Sequence, residues 1–124
     1  MTEDDQAALE GMLQKMDGLV NRPDKWSAHN KDLHRFLVTR AQMPLVSRLF
    51  DTVLDHWDRL RLFYLEDVTA SRVTTAQQEH WQIFEALRSR DPGQVAQTIH
   101  THNETALTAY IAHLEAVGAL APMP

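Results

Sequence analysis

Residues 79–102 read EHWQIFEALRSRDPGQVAQTIHTH, and the two halves of this stretch carry separate helical faces. Between them, Asp91-Pro92 pairs a favourable helix N-cap with the residue best suited to the first helical position. On the amino side His80, Ile83, Phe84 and Leu87 recur at spacings of three and four or their neighbours, the signature of one helix face. On the carboxyl side Val95, Ile99, His102, Ala106 and Ala109 do the same. The stretch therefore reads as two helices joined at a tight bend. His80 lies eleven residues before Asp91 and His102 eleven after it. If the helices fold back antiparallel, equal offsets place both histidines about 16 Å from the bend, at one level of the pair.

The rest of the chain follows the same pattern. A first helix is expected from about Glu3 to Val20, with Thr2 as N-cap, acidic residues in its first turn and Leu9, Met12, Leu13, Met16 and Leu19 on its apolar face. Pro23 and Asp24 open a second helix that runs to about Ala41 and carries Trp26, Leu33, Leu37 and Val38. Pro44 marks a break, because it lacks an N–H and restrains Met43. A third helix spans Pro44 to Tyr64. The polar segment from Glu66 to Thr74 reads as a connection, followed by a fourth helix from Thr75 to Arg88. The fifth runs from Pro92 to about Val117 and ends at Gly118, leaving 118–124 as a frayed tail. No stretch alternates like a strand between hairpin signals. The expected fold is all-α, an antiparallel bundle of five to six helices forming one domain over residues 1–117.

Composition narrows the function classes. The chain has 124 residues, twelve Lys+Arg against seventeen Asp+Glu, seven His and no Cys. One domain of this size buries enough surface for a core without staples. Without cysteine there is no disulfide framework, thiolate metal site or thiol nucleophile. A net charge of −5 opposes binding to a nucleic-acid backbone. No apolar run reaches a membrane span, and the acidic start MTEDD is unlike a signal peptide, so a cytoplasmic protein is expected.

The histidines are the unusual feature. Asn30, His34, Leu37 and Ala41 share one stripe of the second helix, so His34, His80 and His102 each lie on or beside the apolar face of a different helix. Asn30 and His34, four apart, form a two-point chelate on one helix. Three imidazole nitrogens and one amide oxygen suit a divalent ion: zinc first, with nickel or manganese as alternatives. The same spacing also describes three hydrogen-bonded core histidines, and spacing alone leaves the two readings level. His29, His56, His100 and His113 read as surface or supporting positions, and Trp26, Trp57 and Trp81 as core anchors. There is no phosphate-binding glycine loop, nucleophile elbow or H-E-x-x-H, and no clear base stands beside the site. A metalloenzyme, a hydrolase or lyase, is therefore the alternative to a binding protein.

Two segments also resemble a known family. LHRFLVTRAQMPLVSRLF, residues 33–50, closely resembles a motif of the FadR C-terminal domain (FCD), the ligand-sensing domain of many GntR-family transcription regulators. Residues 79–102 resemble a second motif of that family, with the same twenty-two residues from His80 to His102. TEDDQAALEGMLQKM, residues 2–16, is similar to its early helix. The resemblance implies an all-helical bundle around a pocket, in which Asn30, His34, His80 and His102 hold a divalent metal. It further implies a small carboxylate metabolite as effector, a homodimer and no enzymatic activity. Trp81, Thr98, Tyr64 and Arg61 are expected around the effector, with Arg61 or Arg72 replacing the arginine that relatives supply from a preceding helix. Asn30 stands where many relatives have Asp, which removes one negative charge. Relatives carry a DNA-binding winged helix ahead of this region, so this chain alone is not expected to bind DNA.

Overall fold

The computed structural model describes residues 1–42, 44–64, 66–116 and 118, with the side chains at 44, 50, 58, 60–64 and 66 left aside. It contains α1 (Glu3–Asp17), α2 (Pro23–Arg40), α3 (Pro44–Tyr64), α4 (Glu66–Ser89) and α5 (Pro92–Ala116), with no strand among the described residues. The fold class is all-α, as the periodicity predicts. None of these helices is long and apolar enough to cross a membrane. The chain divides into two compact units, Met1–Arg59 and Leu60–Pro124.

In the first unit, α1 and α2 pack together. A capping box starts α1: the Thr2 hydroxyl accepts the Asp5 N–H at 3.1 Å, and Asp5 accepts the Thr2 N–H at 3.0 Å. Arg40, at the far end of α2, donates to the same carboxylate at 2.8 Å. The Thr2 N–H first, and then Arg40, hold the Asp5 carboxyl down at about 2 against an ordinary 3.8. This contribution to stability is present above about pH 4 and is lost as pH falls through the depressed value. Leu9, Leu13, Met16, Trp26 and Leu33 are buried. Lys31 pairs with Asp55 at 3.1 Å and Arg35 with Asp51 at 2.8 Å. A step of four forward on α2 matches a step of four back on α3, so these helices run antiparallel within the unit. The first helix stops three residues short of the expected Val20. Gly18 caps it, its N–H reaching the Lys15 and Met16 carbonyls.

In the second unit, α4 and α5 form the antiparallel pair anticipated around Asp91. Arg90 closes α4 in the left-handed conformation at φ 57°, and its N–H bonds the Leu87 carbonyl. Asp91 then caps α5, its Oδ1 accepting the Gly93 and Gln94 N–H groups at 3.0 and 3.3 Å. Replacing Asp91 by Ala is expected to lower stability by about 1 kcal/mol in urea denaturation. An unchanged midpoint would show that the cap is idle.

One expectation is corrected here. The segment from Glu66 to Thr74 is not a connection but the first turns of α4. Thr69 and Val73 are buried at 5% and 1% exposure, and they extend the buried row through Ala76, His80 and Ile83. Burial of that row outweighs the modest helix propensity of Thr and Val.

Candidate metal centre

The α4 row carries His80 to the interior, where it is 3% exposed, and α5 carries His102, 6% exposed. Because both lie eleven residues from the Asp91 bend, the antiparallel pair sets them side by side. Their ring centroids are 4.9 Å apart, with the planes inclined at 64°. One ring nitrogen of each lies within 4.8 Å of the other's. A tetrahedral zinc with Zn–N bonds of about 2.1 Å needs the nitrogens roughly 3.4 Å apart, within reach of small side-chain rotations.

The surroundings of His102 are as specific as the pair itself. Its Nδ1 lies 2.8 Å from the Glu79 carboxylate, and the Arg72 guanidinium donates to the same Oε1 at 2.7 Å. The Arg72, Glu79 and His102 side chains are 11%, 13% and 8% exposed, so the chain of hydrogen bonds is largely removed from water. Sequence reasoning missed this partnership, although its signal is present. Arg72 and Glu79 are seven residues apart, two turns along one face of α4. Glu79 also sits nearly as far from the bend as His102. Through this bond Arg72 supports Glu79 and, one step further, His102.

Asn30 and His34 belong to the first unit. They lie one turn apart on α2, both half-buried. The Asn30 Oδ1 is buried and makes no hydrogen bond among the described residues. A buried amide oxygen in that state is costly unless it meets a donor or a cation, and it fits the donor type expected of a metal ligand. The imidazole nitrogens match a borderline-soft divalent ion equally well.

Trp81 and Thr98, expected around an effector, line a cavity of about 510 Å³ between α4 and α5, together with Glu79, Glu85, Gln94 and His102. Among the described residues no Lys or Arg lines it, and Glu79 and Glu85 pair with Arg72 and Arg88 at 2.7 and 3.4 Å. The side chains of Tyr64 and Arg61 lie outside the described residues.

No curated protein and no solved structure matches the chain. The FCD domain model matches residues 1–105, a span that includes Asn30, His34, His80, His102 and the Arg72–Glu79 pair. With more than four-fifths of its 124 residues matched, the chain belongs to the FCD domain family, the ligand-sensing domains of GntR-family transcription regulators.

Proposed function

We propose that this domain senses a small carboxylate metabolite through a divalent metal ion held by His80 and His102, with Asn30 and His34 completing the donor set. The observation that carries the proposal is the buried His80–His102 pair, with a carboxylate on the Nδ1 of His102. A metal-ligating imidazole almost always donates its other ring N–H to a carboxylate, a backbone carbonyl or water, and Glu79 is placed to accept that bond from His102. Zinc suits the donors best, with nickel or manganese as alternatives. Asn30 contributes no charge, so the set of four donors is neutral and an ion held there would keep its full positive charge.

That charge matters for the ligand. Among the described residues, the α4–α5 cavity is lined by Glu79 and Glu85, which pair with Arg72 and Arg88, and by no Lys or Arg of its own, so its lining offers a carboxylate no free positive charge. A bound divalent ion would supply the positive centre, while Trp81 and Thr98 offer an apolar face and a hydroxyl for the remainder of the metabolite. A hydrolase or lyase would need a base beside metal-bound water. Glu79, the carboxylate beside His102, is committed to Arg72 and His102, which favours a binding role over turnover.

Such a sensor acts by favouring one of two arrangements of its helices. The output would be DNA binding by a winged helix in the same regulator, in the cytoplasm. A homodimer is part of this reading. Leu45, Leu49 and Val53 form a row on α3 at 67%, 61% and 59% exposure, an apolar strip suited to a second copy.

The test is calorimetric titration of a panel of small mono-, di- and hydroxycarboxylic acids into zinc-loaded and chelator-stripped protein. At least one acid is expected to bind the loaded protein and to lose most of its affinity after stripping. Equal binding to both forms, or acid turnover by the loaded form, would overturn the reading.

A further inference from the structure

We infer that Arg72 and Glu79 are positioning residues that set the tautomer of His102. The purpose assigned to this arrangement rests on the metal-binding reading above, whereas the arrangement itself is internal to the α4–α5 unit.

An ionised carboxylate can only accept. The 2.8 Å contact between Glu79 Oε1 and His102 Nδ1 therefore places the ring proton on Nδ1 and makes Nε2 the lone-pair nitrogen. Arg72 acts one step further out. Its guanidinium, 2.7 Å from the same oxygen, balances the charge of Glu79 and restrains rotation of the carboxylate. The three groups come from two helices: Arg72 and Glu79 stand two turns apart on α4, and His102 comes from α5. A turn of the imidazole would break its bond to Glu79, so the ring is held in plane as well as in tautomer. His80, packed 4.9 Å away, then faces a neighbour whose orientation is fixed.

A purely structural ion-pair network would tie α4 to α5 with the same contacts, and two readouts separate the alternatives. The first is the tautomer of His102, read from long-range ¹⁵N–¹H NMR correlations of metal-free protein at about pH 8.5, above the ordinary histidine range. The wild type is expected to show Nδ1–H. Glu79→Leu, which has no acceptor, is expected to release the ring from that tautomer, whereas Glu79→Gln, which retains a carbonyl oxygen, is expected to keep it. The second readout is zinc affinity by competition with a chromophoric chelator. Glu79→Leu is expected to bind zinc about 10- to 100-fold more weakly than wild type. Glu79→Gln should recover most of that loss, and Arg72→Met should fall between them.

An Nε2–H or doubly protonated His102 in the wild type overturns the inference, and this measurement needs no variant to fold. Wild-type zinc affinity in Glu79→Leu, with zinc still bound by the parent, overturns it too. If the parent binds no zinc while His102 shows the Glu79-dependent Nδ1–H tautomer, the metal reading fails and the positioning role stands.

Discussion

Substituting His80 and His102 together by alanine is expected to weaken zinc binding by roughly four to six orders of magnitude. Structural zinc sites with four ligands bind with about 10–16 kcal/mol, or about 2.5–4 kcal/mol per ligand. Removing two imidazoles therefore costs about 5–8 kcal/mol, and each 1.4 kcal/mol is tenfold. Competition titration against a chelator of known affinity gives the number directly. The double variant also removes two buried rings, so its helicity and thermal unfolding must be followed alongside. The single variants separate fold from site. Each should retain the helical spectrum while losing about half of the binding free energy assigned to the pair. Full zinc affinity in a folded double variant would show that the two rings are core residues only.

The second large effect concerns the helix pair that presents those rings. Phe84 is 2% exposed on α4, one turn beyond His80, with the Trp81 ring edge-on at 5.6 Å and 88°. Phe84→Ala is expected to cost about 3–5 kcal/mol, the sum of lost transfer free energy and an unfilled cavity. Folded chains hold only about 0.05–0.15 kcal/mol per residue, so this is a large share of the total. Urea denaturation should show the midpoint falling with an unchanged slope, and Phe84→Leu should recover most of the loss. A cost below about 1 kcal/mol would mean that the packing around Phe84 on α4 collapses readily into the space of the missing ring. In that case the histidines would lack a rigid support.

What the sequence revealed depended on whether a local rule had competition. Asp91-Pro92 announced the bend without rival, since both residues favour the same helix start, and the bend carried His80 and His102 into register by arithmetic alone. Pro44 located the start of α3 in the same way. The turns from Glu66 to Thr74 were lost because Thr and Val argue weakly against helix. Only burial of Thr69 and Val73 shows why the chain overrides them. At the site, apolar-face histidines were visible because a polar ring on an apolar stripe breaks the pattern. Arg72 and Glu79 broke no pattern. Charged residues on a helix are ordinary until a second helix supplies the partner, so their role emerged only with the position of His102. Likewise Trp81 and Thr98 could be named from the sequence, but not the arginine-paired glutamates that line the cavity beside them.

Elemental analysis of the wild-type domain, purified without a histidine tag and dialysed at neutral pH, tests the central claim most directly. One divalent ion per chain, absent from the His80→Ala/His102→Ala variant purified in parallel, is the expected result. A folded wild-type protein that retains no stoichiometric metal and takes up none from added zinc, nickel or manganese would contradict it.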